Sequence, residues 1–316
     1  TIVFSPLISL MKDQVDGLLV QNIPAALINS TLTQSEFNKT MYEVRSGKIK
    51  LLYIAPERLS SNFFCNVLRP LPIAQVIVDE AHCISEWGHD FRPSYRLIGE
   101  WLNSLPKRPI VGAFTATATK YVENDIKNLL GLDKANVYVT GFDRPNLSFS
   151  VIRTPKRMDY AVHYVRQHAN ENGIIYCATR KDVDRVYENL TRAGIKAGHY
   201  HGGLNDEVRR EMQNAYADDK LQVMVATNAF GMGIDKSNVR YVLHYQMPRN
   251  MESYYQEAGR AGRDGAPAEC ILLYSGQDVQ VHKYLIEQSI ETPERQDVEL
   301  RKLQSMIDYC FCSTCL

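Results

Sequence analysis

Two adjacent carboxylates, Asp79 and Glu80, follow a run of apolar residues in VIVDEAHCISEWGHDF, residues 76–91. Burying charge is costly unless the charge has a partner, so a strand that ends in two acids indicates a site. At the carboxyl end of such a strand, one acid can hold Mg²⁺ on nucleotide phosphates while the other orients or deprotonates the attacking water. A solvated acidic turn is the simpler interpretation of a bare pair, but Ala81 and His82 extend this pair to DEAH.

A second charged group lies in YYQEAGRAGRDG, residues 254–265. Arg260 and Arg263 are three residues apart, and Gln256 lies about one helical turn before Arg260. Guanidinium groups suit the charge that develops on transferring phosphoryl oxygens, and arginine fingers supply it across an interface. The alternative is a solvated basic helix end, which the three glycines of the segment disfavour, because ordinary surface helices avoid glycine.

Aromatic residues follow the acid pair closely. Trp87, Phe91 and Arg92 lie within a dozen residues of Glu80. Aromatic faces can stack on nucleic-acid bases of any sequence, which contributes about 1 to 3 kcal/mol per base. The structural alternative is that Trp87 packs in a core and Phe91 staples the helix that follows. Gly88 and the charged residues between the aromatics favour a functional loop.

The cysteines do not form a disulfide framework. Four of the seven are scattered singly, which is typical of a protein of the reducing cytoplasm. The other three, Cys310, Cys312 and Cys315, are clustered near the C-terminus. Three thiols suggest Zn²⁺, yet a closed structural zinc site needs four ligands.

These candidate residues need strands and helices to position them. Short β-branched runs alternate with segments of helical period, which predicts βαβ units and parallel sheets with helices on both faces. The pattern restarts after Pro145, so we predict a first domain over residues 1–146 and a second over residues 147–276. Residues 277–316 have no strand pattern and are interpreted as the start of a helical element.

Composition limits the possible partners. The chain has 316 residues, which suits about two domains. Its 36 basic residues equal its 36 acidic residues, so an anionic partner must be held by local groups and not by an overall positive field. No apolar run approaches the length that a membrane span needs, and we expect no membrane partner.

The motifs together resemble those of superfamily 2 helicases. Besides DEAH and QEAGRAGR, four segments carry this resemblance: SPLISLMKDQ (5–14), YIAPERL (53–59), AFTATAT (113–119) and VMVATNAFGMGID (223–235). The segments CISEWGHDFRPSY (83–95) and FDRPNL (142–147) closely resemble the RecQ family of DNA helicases. The resemblance covers nearly the whole chain.

This resemblance implies two RecA-like domains that hydrolyse ATP with Mg²⁺ in the cleft between them. It implies movement 3′ to 5′ along single-stranded DNA and separation of the duplex ahead, in recombination and repair. By position, Asp79 is expected to bind Mg²⁺ and Glu80 to activate water. His82 and Gln256 are expected to link the nucleotide state to domain closure.

Further residues of the second domain are expected at the nucleotide. By the same resemblance, Arg260 and Arg263 reach the phosphates, with Arg263 the better candidate for the arginine finger. Gly233 and Asp235 belong to the nucleotide site, and Asp235 approaches the ribose.

The resemblance also implies DNA contacts. In the family, the loop of Trp87, Phe91 and Arg92 couples DNA to ATP turnover. Other contacts are expected to the DNA backbone, which positions without reading sequence. These residues are Arg58, Thr115, Thr117, Arg180 and the HGGL turn that begins at His201. Alternatively, the two threonines form a structural hinge, because hydroxyls readily cap local backbone.

The sequence departs from the family in two places. Residues 1–316 contain no phosphate-binding GxxxxGK[ST] string, which the family places just upstream of the strand at Thr1. We therefore interpret the chain as a fragment and expect it to be nearly inactive alone, because each lost hydrogen bond to a phosphate costs about 1.5 to 3 kcal/mol. The family's zinc module follows the motor, and Cys315 matches the region of its first ligand. We expect Zn²⁺ only in the intact protein.

Two alternatives stay open from the sequence. One is an RNA helicase of the same superfamily, which the 83–95 loop disfavours. The other is a non-catalytic nucleic-acid-binding module, which the missing phosphate loop permits. The expected partners are single-stranded and duplex DNA, and the expected location is the cytoplasm, most simply a bacterial cytoplasm or nucleoid.

Overall fold

The molecule divides into two compact units. The computed structural model describes residues 1–29, 32–88, 90–139, 141, 143–231, 236–290 and 292–312. The first unit is Thr1–Thr140 and the second unit is Gly141–Leu316. The sequence prediction placed the domain boundary slightly later, after residue 146.

The first unit is built on a parallel sheet. Its strands are β1 (Ile2–Phe4), β2 (Ala25–Ile28), β3 (Leu51–Ile54), β4 (Gln75–Val78) and β5 (Ile110–Ala113), in the spatial order β2-β3-β1-β4-β5. Its helices are α1 (Ile8–Val20), α2 (Gln34–Arg45), α3 (Asn62–Leu68), α4 (Arg96–Ser104) and α5 (Lys120–Leu130), with short 3₁₀ helices at Pro56–Ser60, Ala81–Ile84 and Pro93–Tyr95. Ile2 and Phe4 belong to one core and Val3 to another, so the sheet is buried on both faces.

The second unit repeats this architecture with a sixth strand. Its strands are β6 (Leu147–Arg153), β7 (Asn172–Tyr176), β8 (Ala197–Tyr200), β9 (Val223–Ala226), β10 (Val239–His244) and β11 (Ala268–Tyr274), in the order β6-β11-β10-β7-β9-β8. Its helices are α6 (Arg157–Gln167), α7 (Arg180–Arg192), α8 (Asp206–Ala217), α9 (Met251–Ala258), α10 (Gly276–Ser289) and α11 (Pro293–Phe311). All the strand pairings are parallel, and the predicted fold class of two parallel α/β sheets is confirmed.

Helix caps fix where the elements beside the candidate site begin. The side-chain oxygens of Thr119, Thr179 and Asn250 accept backbone N–H groups at the first turns of α5, α7 and α9. Such caps satisfy donors that a helix leaves unpaired, and each stabilises its helix by about 1 kcal/mol. Arg180 is consequently placed at the first position of α7, just after β7 ends.

The C-terminal helices α10 and α11 pack into the second unit. They share a buried core with α9 and β11, which includes Met247, Leu303 and Met306. Arg157 donates to both carboxylate oxygens of buried Asp278, at 2.8 and 2.9 Å. A buried ion pair of this kind is costly to break, so it fixes α10 to the start of α6. No helix among the described residues is long and apolar enough to cross a membrane.

Candidate nucleotide and nucleic-acid sites

The acid pair lies on a sharp turn at the end of β4. The Asp79 N–H donates to the Phe4 carbonyl at 2.9 Å, which extends the strand pairing by one residue. Glu80 then adopts a left-handed conformation, with φ 46° and ψ 47°. The Ala81 N–H donates to the Phe114 carbonyl at 2.8 Å and ties the turn to the end of β5. Left-handed backbone is unfavourable for a residue with a side chain and is concentrated at functional sites, where the surrounding structure maintains it.

The electrostatics of Asp79 suit a divalent cation. One carboxylate oxygen accepts the Glu80 N–H at 2.9 Å, and the Ser5 hydroxyl donates to the other at 3.3 Å. Burial, and next the neighbouring Glu80 carboxylate, raise the pKa of Asp79 above its usual value. A bound cation would offset this repulsion with hard oxygen ligands already in place, so the residues fit Mg²⁺.

His82 links Glu80 to the loop after β5. Its ring is 1% exposed, and its Nδ1 lies 3.2 Å from Glu80 Oε2 and 2.9 Å from Thr115 Oγ1. The Thr115 hydroxyl donates to the Thr117 carbonyl at 3.0 Å, so we assign the proton of the His82 contact to Nδ1. Thr115 therefore bonds to local backbone at Thr117, as the alternative of a structural hinge expects. The contact of these two threonines with DNA stays a prediction.

The aromatic loop exposes its tryptophan. Trp87 is 40% exposed, whereas Trp101, a core residue, is 4% exposed. The core alternative therefore does not hold for Trp87. The ring centre of half-buried Phe91 lies 5.2 Å from the guanidinium carbon of Arg96 in α4. This contact matches the alternative in which Phe91 staples the helix that follows the loop. The Arg92 guanidinium donates to Asp90 at 3.0 Å and to the Pro6 carbonyl at 2.8 Å, which anchors the loop to the end of β1.

Arg58 is stacked between aromatic rings. Its guanidinium lies 5.6 Å from the Phe37 ring centre and 5.1 Å from the Phe64 ring centre. These two rings belong to α2 and α3. Stacking on aromatic faces is a favourable use of a guanidinium. Arg58 therefore has a packing role in the first unit, and its predicted contact with DNA is untested.

Arg260 is a buried cation in the second unit. It is 7% exposed, and its Nη1 donates to the Gly231 carbonyl. Its Nε has no hydrogen-bond partner among the described residues, and none of their carboxylates pairs with it. A buried guanidinium with a donor left unpaired among the described residues is costly, and a phosphate group would satisfy that donor. Arg263 is exposed, and Gln256 lies half-buried on the last turn of α9.

Gly231 makes this position of Arg260 possible. A Cβ at Gly231 would lie 2.4 Å from Arg260 Cζ, and its φ of 149° favours glycine. The next residues of GMGID are outside the described residues, including the predicted nucleotide residues Gly233 and Asp235. The predicted zinc ligand Cys315 also lies outside them.

Two predicted DNA contacts come together beside β8. Exposed Arg180 lies over the HGGL turn, where a Cβ at Gly203 would be 3.3 Å from Arg180 Cδ. His201 is 5% exposed, and its Nδ1 accepts the Gly203 N–H at 3.1 Å. We therefore assign its proton to Nε2, which donates to Asp184 at 3.1 Å. Asp184 thus attaches the turn to α7.

Asp184 and its other partner, His199, were not predicted from the sequence. The ligand atoms of His199, His201 and Asp184 lie within 4.8 Å of one another, and these residue types can hold a metal ion. The histidines are two residues apart at the end of β8, which was the available signal, because alternate residues of an extended chain share a face. Because His201 Nε2 is assigned a proton, it has no lone pair with which to bind a metal. Hydrogen bonding to Asp184 therefore explains this group of residues better than a metal site does.

Comparison with known proteins agrees with this geometry. Residues 1–125 match the DEAD/DEAH box helicase model, residues 156–265 the helicase conserved C-terminal domain, and residues 276–316 the RecQ zinc-binding model. Over 316 residues the chain is 54% identical to the ATP-dependent DNA helicase RecQ of Bacillus subtilis. The chain belongs to the RecQ helicase family. It is also 45% identical over 316 residues to the RecQ of Pasteurella multocida.

This RecQ-family chain spans about half the length of those relatives, 53% and 50% respectively. Solved structures support the two RecA-like domains. Saccharomyces cerevisiae Dbp5 bound to RNA and ADP BeF3 matches with a TM-score of 0.66 at 17% identity, over 96% of this chain and 81% of that one. The helicase MrfA bound to DNA matches with a TM-score of 0.71 at 16% identity, over 96% and 45%. At such identities the likeness shows the fold.

Proposed function

We propose that these residues are the motor of an ATP-dependent DNA helicase of the RecQ type, which moves 3′ to 5′ on single-stranded DNA and separates duplex DNA. The observation that carries the proposal is the acid pair, in which strained Glu80 lies beside an Asp79 whose pKa burial raises. Partly buried acids on a strained turn suit metal-assisted attack of water on a phosphate. The proposal concerns a protein that combines these residues with a phosphate loop, a string absent from residues 1–316.

The first unit supplies the metal ligand and the base. Bound Mg²⁺ would neutralise the charge on the phosphate oxygens. Asp79 would hold this cation, while Glu80 orients the attacking water and takes its proton. His82 Nδ1 donates to Thr115 and lies 3.2 Å from Glu80 Oε2, so a shift of the loop after β5 moves the imidazole relative to the base. This is a physical route for linking nucleotide state to movement.

The second unit supplies positive charge. Arg260 and Arg263 are proposed to stabilise the charge that develops on the phosphoryl oxygens, with exposed Arg263 as the finger. Gln256, on the same segment, is proposed to report domain closure. Gly233 and Asp235 are proposed to contact the nucleotide, with Asp235 at the ribose.

Two surfaces are proposed to contact DNA. On the first unit, Trp87 offers an exposed ring that can stack on a base, while Phe91 and Arg92 hold the loop. On the second unit, Arg180 and the turn that begins at His201 offer a cation and backbone N–H groups to a phosphate. By likeness to the family, we also propose roles in recombination and repair in the cytoplasm, and Zn²⁺ bound by the intact zinc module.

The test is ATP hydrolysis and strand separation by the protein with its phosphate loop. We expect DNA single strands to stimulate hydrolysis at least tenfold more than RNA of the same sequence, and we expect unwinding of a duplex with a 3′ single-stranded tail. Equal stimulation by RNA would support an RNA helicase instead. Binding of DNA with no hydrolysis would support the non-catalytic module. Residues 1–316 alone are expected to hydrolyse very little ATP, and rapid turnover by them would contradict that part.

A further inference from the structure

A buried cluster of side chains joins α9, the helix that leads into the arginine segment, to the C-terminal helix α11. We call it the α9 cluster. Its members are Tyr176, His244, Tyr254, Glu257 and Tyr309. Tyr176, His244 and Tyr254 are 3%, 1% and 2% exposed, and Glu257 is 9% exposed. None of these residues has a role in the proposed mechanism, yet two of them, His244 and Glu257, are an imidazole and a carboxyl group in a core, where such groups are rare without a specific partner.

The polar centre of the cluster is one hydrogen-bonded pair. His244 Nε2 lies 2.9 Å from Glu257 Oε2. Glu257 is the residue after Gln256, and its carbonyl accepts the Arg260 N–H at 3.3 Å. A buried carboxylate that loses its partner is strongly disfavoured, so the pair holds the last turn of α9 against the end of β10. It therefore sets the direction in which the following arginine segment leaves the helix.

Ring contacts extend the pair toward Arg260. The His244 ring stacks on Tyr176, with ring centres 5.6 Å apart and planes 23° apart. The Tyr176 hydroxyl donates to the Phe230 carbonyl at 2.8 Å. The Arg260 guanidinium contacts the same phenol, and although burial raises the pKa of Tyr176 to about 12, the nearby cation acts to lower it. His244 therefore contacts both Glu257 and Tyr176, the residue whose phenol lies against Arg260.

On its other side the cluster reaches α11. The Tyr254 ring meets His244 edge-on, with ring centres 4.9 Å apart. Its hydroxyl lies 3.5 Å from the hydroxyl of Tyr309, and the two rings are 5.4 Å apart. Helix α11 is itself fixed nearby, because Arg153 donates to the Cys310 carbonyl at 2.9 Å. A displacement of α11 would therefore change the packing around Tyr254 and His244.

We propose that His244 and Glu257 are positioning residues that hold Gln256 and Arg260 in their working orientation, and that Tyr309 transmits the position of α11 to them. This inference rests on the proposed function, in which the arginine segment acts on ATP. Residues 276–316 match the RecQ zinc-binding model, so α11 belongs to the module that follows the motor. The cluster gives that module a direct route to the ATPase residues of the second unit.

The first test measures amide hydrogen exchange and does not depend on ATP hydrolysis. Tyr309→Leu in residues 1–316 is expected to raise amide hydrogen exchange of α9 and of the end of β10 several-fold, because the aromatic packing on Tyr254 is lost. Ser305→Ala, on the exposed face of α11, is the matched control and should leave exchange of α9 unchanged. Unchanged exchange in Tyr309→Leu would overturn the link from α11.

The second test separates positioning from folding in the protein with its phosphate loop. Glu257→Ala removes the hydrogen bond to His244, and kcat for DNA-stimulated ATP hydrolysis is expected to fall about tenfold with an unchanged KM for ATP. Glu257→Gln keeps an acceptor for His244 and should restore part of this loss. If Glu257→Ala does not fold, Glu257→Gln alone is expected to lower kcat about threefold.

The outcomes distinguish this inference from the proposed function. A parallel loss of ATP binding, or wild-type kcat in both variants, would overturn the positioning role. An unsubstituted protein that does not hydrolyse ATP with DNA would overturn the proposed function and, with it, the kinetic part of the inference. The exchange measurement would still decide whether α11 and α9 are linked.

Discussion

The acid pair of the first unit and the arginine segment of the second unit are held in opposite ways. Asp79 and Glu80 project from a strained turn and contact a few polar groups of neighbouring loops. Arg260 is buried against Gly231, just after α9 ends. The difference teaches that the acids can be changed with little damage to the fold, whereas the orientation of the arginine depends on the core around it.

The largest expected effect comes from removing the charge of one acid. Glu80→Gln keeps the size of the side chain but cannot take a proton from water, so ATP turnover should fall by about 10³-fold while ATP binding is retained. Steady-state hydrolysis and nucleotide-binding titration measure the two quantities. Near-normal turnover in this variant would remove Glu80 from its proposed role.

A substitution in the core of the second unit should change the position of Arg260 indirectly. Gly231→Ala would place its Cβ 2.4 Å from Arg260 Cζ and displace the guanidinium, so turnover should fall by about 10²-fold with lower thermal stability. Gly276→Ala is the matched control, because a Cβ there meets nothing within 4 Å. If Gly231→Ala keeps normal turnover, the position of Arg260 is not critical.

The aromatic loop should show a smaller and more selective effect. Trp87→Ala removes an exposed stacking surface and should lower DNA-stimulated turnover about tenfold, while turnover without DNA changes little. Tyr121→Ala removes another exposed aromatic of the first unit and serves as the control. Hydrolysis is measured against DNA concentration. Unchanged stimulation in Trp87→Ala would leave the loop with only a structural role.

The smallest expected effect is a gain in stability. The pKa of Asp79 is raised in the folded state, first by burial and next by Glu80, so the folded protein binds the proton more tightly than the unfolded chain. Stability therefore falls as pH rises from the unfolded pKa to the folded pKa. Asp79→Asn should raise the melting temperature at pH 7 by about 1 to 3 °C. No such gain should appear at a pH below both values.

Local patterns in the sequence predict the fold and the motifs, because strand and helix periods follow from which face is buried. They place Asp79 and Glu80 correctly at the end of a strand. They do not predict contacts between distant residues, such as Arg92 with the Pro6 carbonyl, because direction and packing of side chains are set by the assembled core. The pairing of His244 with Glu257 was missed for the same reason, although Glu257 lies in a recognised motif.

The most direct test asks whether both groups act on one triphosphate. ATP turnover is measured for Glu80→Asp, Arg263→Ala and the double variant in the protein with its phosphate loop. Each single change should lower kcat by about 10²-fold, and the double variant should lose little more than the worse single variant, since residues that act in one step are not additive. Losses that multiply in full would contradict the account, because they would show that the acid and the arginine act independently.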